Sequence, residues 1–379
     1  MNIPFTKPYW DTKELRAVDH ALKNTLGTGD GPWTKKVVEQ MQQLLKVKYV
    51  YPVTSCTHGL ELALASLGVG TGDEVIVPSF TMSSTANAVL INGATPVFCD
   101  IEDTTYAMDP QDMEWCITPR TKGIIVVHYA GMPARIDEIL AIAKKHHLFV
   151  VEDAAHCMGA YYKKKALGTF GDVGVYSFHG TKNLCSGEGG VVVTNREDLV
   201  DAMDIYRANG TNRRQFLRGV VDKYTWVGIG TSFFLSDILA AIMSVQLDKI
   251  DSITKKRVAI AEMYTKSFQK YQHCCFLPQV PDHTIPNWHI YALRFHKESD
   301  AMLFYEHMKK KGITVTTHYV PLHSAPMGKK LAGKSYRKLP VTDRVASTLV
   351  RLPIYPGMTK TELSYIITSA QEILEDFNS

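Results

Sequence analysis

Short, nearly continuous apolar runs punctuate the first half of the chain, at 74–77, 96–99, 123–127, 148–151, 173–178 and 190–194, and helical stretches such as 58–67 and 135–146 separate them. Strands of this kind are apolar on both faces, so they belong inside a mostly parallel sheet covered by helices, not at a solvated surface. Crossovers in such a sheet are right-handed, and ligands collect at the carboxyl ends of the strands. Before the alternation come a helix over 11–24, a glycine-rich turn at 27–32 (GTGDGP) and a second helix ending near 46. After it the pattern changes to a long helix near 247–260, a strand at 290–295, a helix at 301–311, a strand at 314–318 and terminal helices. We read this second part as a smaller α+β domain, with the division at 1–250 and 251–379. A chain of 379 residues can hold this much core. Its net charge of +4 is too small for a dedicated nucleic-acid binder but allows a local basic pocket. The seven cysteines are unevenly spaced, with no C-x-x-C pair, so reduced thiols are expected and a metal site is not. No signal-like start and no bilayer-length apolar run is present, so a cytoplasmic location without membrane contact is expected.

Three segments carry chemistry. In YSFHGTKN (176–183), Lys182 follows an apolar strand among small and polar residues. Burial lowers a lysine's pKa and yields an amine nucleophile suited to imine chemistry; a lone loop lysine is otherwise a surface charge. In VVEDAAH (150–156), Asp153 closes a strand. It either caps a helix or keeps a ring nitrogen protonated, and His156 either packs structurally or lies against that ring. In TSCT (54–57), hydroxyls open a helix whose free N–H groups and dipole suit a phosphate, with a plain hydroxyl cap as the simpler alternative. Ser177 is a further phosphate donor.

Together with GDEVIVPSFT (72–81) and GEGG (187–190), these motifs resemble the DegT/DnrJ/EryC1/StrS sugar aminotransferases, and the likeness runs from IPF at 3–5 to RLPIY at 351–355. The resemblance implies the fold of type I pyridoxal-phosphate transferases: α/β, a large domain with a mostly parallel seven-stranded sheet and a small C-terminal domain. It implies pyridoxal 5′-phosphate as cofactor, with pyridoxamine phosphate as its intermediate form, and a homodimer with a shared site. On the matching motif positions, Lys182 is the cofactor-linked catalytic residue, Asp153 faces the ring nitrogen, His156 lies near the ring, and Cys56, Thr57 and Ser177 hold the phosphate. Relatives that dehydrate sugars carry His in place of this lysine, so Lys182 favours transamination. Two positions depart from the family. Met82 stands where an aromatic residue often covers the ring, and Ser232 where an asparagine from the partner subunit often reaches the phosphate.

The segment GTNRRQFLRGVVDKYTW (210–226), with HYAG (128–131) and HYVPLH (318–323), is similar to the branch that aminates C4 of dTDP-4-dehydro-6-deoxy-D-glucose with L-glutamate, in enterobacterial common antigen synthesis. Arg213, Arg214, Arg218 and Lys223 gather in one short stretch, which is either a solvated basic loop or a clamp for pyrophosphate. Tyr319 and His323 either contact the sugar or pack. The alternatives are another nucleotide-sugar aminotransferase (a C4 gluco product, a C3 ketone or a GDP-sugar) and a non-catalytic binder that keeps the fold.

Overall fold

The structure is a computed structural model and describes residues 1–333 and 336–377, so the last two residues of the 251–379 division lie outside the described residues. Seven strands form the central sheet: β1 (Tyr49–Val53), β2 (Glu74–Pro78), β3 (Thr95–Cys99), β4 (Thr121–Val127), β5 (Phe149–Asp153), β6 (Val173–Ser177) and β7 (Gly190–Thr194). Their spatial order is β1-β7-β6-β5-β4-β2-β3. The run from β3 to β6 is parallel, while β7 lies antiparallel between β6 and β1. The fold expected from the apolar runs is therefore present, with β1 as an additional edge strand. Val75, Ile76, Val77, Ile124, Ile125, Val151, Val175, Val191 and Val192 are all fully buried. Each such side chain contributes about 1.5–3 kcal/mol relative to exposure.

The helix expected at 11–24 is Thr12–Asn24, started by a capping box in which Asp11 accepts from the chain and Glu14 returns the bond. Glu14 also pairs with Lys249 at 2.6 Å. The single long helix expected near 247–260 is two, Asp237–Asp248 and Ile250–Phe268, with Lys249 at the junction. Beyond it a four-stranded antiparallel sheet forms from β8 (Cys275–Phe276), β9 (Tyr291–Phe295), β10 (Thr316–Thr317) and β11 (Leu349–Leu352), in the order β8-β9-β11-β10. Its core unites Tyr264, Phe268, Tyr291, Phe295, Phe304 and Ile366. Ile3 joins this core and is held by hydrogen bonds to Gly312 and Thr314, so the first residues cross to the C-terminal part. We propose a division of the chain near Lys249, with that crossing as its exception. No helix among the described residues is long and apolar enough to span a membrane.

Candidate active site

Where β4, β5 and β6 end, the sheet and the C-terminal part enclose a cavity of about 410 Å³. Asp153 ends β5 and Ser177 ends β6, and both line it with Lys182, Cys56, Thr57, Met82, His156 and Tyr319. The sequence-predicted residues of the 54–57, 150–156 and 176–183 segments thus meet at one place.

The alternation of a strand decides which acid reaches the cavity. Glu152 turns away and is consumed by structure: it accepts from His128 Nε2 at 2.8 Å and from the N–H groups of Gly168 and Gly171 at 2.8 and 2.6 Å. Asp153 faces the cavity, accepting from the Thr85 hydroxyl at 3.0 Å and the Ala155 N–H at 3.2 Å. Among the described residues no cation lies within ion-pair distance of it, and burial pushes its carboxyl above the usual range. Lys182 is half-buried, and loss of hydration lowers its amine's pKa, although Cys56 and Asp153 oppose this. Its Nζ makes no hydrogen bond or ion pair among the described residues. A buried carboxylate and an amine, each without an ion-pair partner among the described residues, therefore share one cavity.

The helix Cys56–Ser66 starts at the cavity wall, capped by Ser55, whose hydroxyl accepts from His58 N–H at 3.1 Å. That leaves the N–H groups of Cys56 and Thr57 free at the positive end of the helix dipole. Ser177 Oγ stands opposite, accepting weakly from His179 N–H at 3.4 Å. Such a cradle of donors fits a phosphate.

His156 Nδ1 accepts from the Ala130 N–H at 3.2 Å, so its proton is on Nε2. Burial, then the nearby Lys182 charge, holds its pKa well below that of a free imidazole. Four groups that the sequence reading missed surround it. His289 stacks on His156 with ring centres 4.3 Å apart. His318 lies against Tyr319 at 3.7 Å and has its pKa depressed to about 2, chiefly by burial. Thr85 holds Asp153. Arg351 lines the cavity, donates to the Thr317 carbonyl at 3.0 Å, and has no acid partner among the described residues. His318 and Arg351 open the HYVPLH and RLPIY segments without an assigned role there, and none of the motifs contains Thr85 or His289.

Other expected site residues do not line this cavity within the single chain. Arg214 is paired with Asp30 at 2.6 Å, and Arg218 with Asp201 at 2.8 Å and Asp204 at 3.5 Å. Arg213 borders a separate cleft with Phe216 and Tyr224. Lys223 and Ser232 are exposed, the latter bridged through its backbone to Ala208. His323 is buried, with Nδ1 2.7 Å from the Ser79 hydroxyl and Nε2 3.4 Å from Asp343. Arg214 and Arg218 are occupied by acids outside their own segment, which the local charge count could not show.

Known proteins are similar throughout. The model of the DegT/DnrJ/EryC1/StrS aminotransferase family matches residues 8–371. An uncharacterized protein of Methanocaldococcus jannaschii is 35% identical over 99% of this chain and 98% of its own. The spore coat polysaccharide biosynthesis protein SpsC of Bacillus subtilis is 32% identical, covering 98% and 97%. Among solved structures, the PLP-form of the putative sugar aminotransferase Spr1654 from Streptococcus pneumoniae superposes with a TM-score of 0.90 at 27% identity, covering 99% of both chains.

Proposed function

The chain belongs to the DegT/DnrJ/EryC1/StrS aminotransferase family, and on that premise we propose that it carries the amino group of L-glutamate to the C4 ketone of dTDP-4-dehydro-6-deoxy-D-glucose, giving dTDP-4-amino-4,6-dideoxy-D-galactose and 2-oxoglutarate. It is an aminotransferase whose cofactor is pyridoxal 5′-phosphate. When bound, that cofactor supplies the aldehyde that takes up amines and the ring that absorbs the electrons released at carbon. One observation carries the assignment of its site: the Lys182 amine and the Asp153 carboxylate, each without an ion-pair partner among the described residues, line the same cavity.

Lys182 Nζ would hold the aldehyde carbon, and Asp153 would keep the ring nitrogen protonated, gaining the cation its burial calls for. The Cys56 and Thr57 N–H groups and the Ser177 hydroxyl would hold the phosphate, and His156 and Met82 would flank the ring. Once freed by the incoming donor, Lys182 takes the proton from the donor's α-carbon and later returns one at the sugar's C4. Its lowered pKa keeps the amine neutral, and therefore basic, nearer to pH 7 than an exposed lysine. Arg351 supports an anionic donor, since a dicarboxylate would supply its missing counter-charge. A homodimer accords with Leu217, Val220, Trp226 and Ile229, which stand 63, 68, 78 and 85% exposed on the segment that carries the basic residues. We propose that a second copy covers them and that Arg213, Arg214, Arg218, Lys223 and Ser232 serve the partner's cavity.

The test pairs L-glutamate with dTDP- and GDP-keto-sugars, follows 2-oxoglutarate release and identifies the product by NMR. An axial amine at C4 of the dTDP-sugar is expected. An equatorial amine, a C3 product or preference for GDP-sugars would overturn the substrate, and silence with all of them would favour a non-catalytic role. A Lys182→Ala variant should lose both turnover and the visible absorbance of lysine-bound cofactor.

A further inference from the structure

Immediately after Lys182 begins a buried amide network that the chemistry above does not use. Asn183 is 6% exposed, and its Nδ2 donates to the Asn287 carbonyl at 3.1 Å. Its Oδ1 must therefore face the other way, where it meets His289 Nδ1 at 2.9 Å. A carbonyl oxygen only accepts, so Nδ1 carries the His289 proton and Nε2 is bare. Fully buried Asn287 is fixed in the same manner. Its Nδ2 donates to the carbonyls of His156 and Met158 at 2.7 and 2.8 Å, and its Oδ1 accepts from the His289 N–H at 3.0 Å. Room for this amide exists because residue 131 is glycine; a Cβ there would stand 2.0 Å from Asn287 Oδ1. Beneath the same turn, Arg257 donates to the carbonyls of Trp288 and His289 at 2.9 and 2.7 Å, with no acid partner among the described residues. Trp288 takes φ of +49°, a left-handed conformation that costs a bulky residue and persists only where its surroundings impose it.

The segment 287–289 thus grips both sides of the cavity. One arm ends on the residue next to Lys182. The other ends on the His156 carbonyl, and the His289 ring lies on the His156 ring 4.3 Å away. We propose that His289 is a positioning residue for the cofactor site, acting through its Nδ1–H bond to Asn183 to fix the approach of Lys182. The inference rests on the cofactor assignment made above, and Arg257 serves it by locking the strained turn on which His289 stands.

Two substitutions separate the functions of the ring. His289→Asn keeps an amide N–H where Nδ1–H stood and has no counterpart of Nε2. His289→Phe keeps a ring over His156 and loses the bond to Asn183. Cofactor-free protein of each is titrated with pyridoxal 5′-phosphate, followed by the visible absorbance of the lysine-bound form, with circular dichroism verifying the fold. His289→Phe should bind the cofactor about tenfold more weakly, the worth of one buried hydrogen bond, while His289→Asn should stay within about threefold of wild type. Asn183→Ala, which also loses the bond to the Asn287 carbonyl, should lose at least as much as His289→Phe, and the double variant should add little to Asn183→Ala, since the Asn183–His289 bond is already gone. Wild-type affinity in His289→Phe, equal losses in His289→Phe and His289→Asn, or additive losses in the double variant would each overturn the proposal. Wild-type protein that takes up no cofactor would instead overturn the functional reading beneath it.

Discussion

At the scale of single residues, the least protected group in the site is Asp153. Burial favours its neutral form, while the hydrogen bonds from the Ala155 N–H and the Thr85 hydroxyl, and after them the nearby Lys182, favour the charged form that a protonated ring nitrogen needs. Thr85 in turn meets the Thr81 hydroxyl at 2.9 Å, which orients it. A hydrogen bond to a charged group is worth about 1.5–3 kcal/mol. Thr85→Val should therefore lower kcat/KM by roughly ten- to a hundredfold with the fold intact, and Thr85→Ser should stay close to wild type; steady-state kinetics with the amino donor reads both. Equal activity in Thr85→Val would show that Asp153 needs no such support. Asp153 and Lys182 were legible because each closes or follows an apolar strand, a place where a charge has a reason to be. Thr85 was not, since it lies 68 residues before Asp153 on a helix whose sequence reads as ordinary packing. His289 and Arg351 were hidden for the same reason, because only the folded chain brings them to the cavity.

At the scale of elements, the phosphate cradle depends on how closely β7 approaches the start of the helix Cys56–Ser66. Gly190 opens β7, and a Cβ there would stand 2.5 Å from Ser55 C and 2.6 Å from Cys56 N, both backbone atoms with nowhere to retreat. Gly190→Ala must push the helix start away from the strand. We expect it to destabilise the protein by about 1–3 kcal/mol, as overpacking does, and to weaken cofactor binding. Gly70→Ala, at a site with no atom within 4 Å of the new Cβ and no left-handed backbone, should stay within about 0.5 kcal/mol. Denaturant midpoints separate the two. The same scale explains which elements could be read in advance. Strands β2 and β4 to β7 are largely buried on both faces and announce themselves by continuous apolar runs, while β3, at the other edge, is only half-buried at Val97 and Phe98. The edge strand β1 contains Pro52, which interrupts a strand pattern and is tolerated only where one side needs no ladder bond. The break at Lys249 was illegible because the partners met there are tertiary: the ammonium reaches Asp11 at 2.8 Å and Glu14 at 2.6 Å, at the start of the first helix.

At the scale of the whole molecule, the imidazoles of His156, His289 and His318 stand where the sheet meets the C-terminal part. All three are held below the ordinary histidine pKa, His318 at about 2, by burial first and then by neighbouring charges such as Lys182 and Arg351. Folded chains keep them neutral at pH values where unfolded chains would protonate them. The unfolded state thus binds more protons below about pH 6.5, so the stability these groups allow is complete above that value and is lost as pH falls below it. Asp153, whose pKa is raised, has the opposite sign and offsets only one of the three. Since the three imidazoles surround the cavity, acid should open this seam before it melts the sheet, whose core is mostly aliphatic. Between pH 7.5 and 5, the visible absorbance of lysine-bound cofactor should therefore disappear at a higher pH than the far-ultraviolet circular dichroism. His318→Phe, which retains a ring against Tyr319 and removes the proton site, should move the absorbance transition to lower pH and leave the dichroism transition where it was. Coincident transitions in the wild-type protein, or an absorbance transition unmoved in His318→Phe, would place the acid sensitivity elsewhere in the molecule.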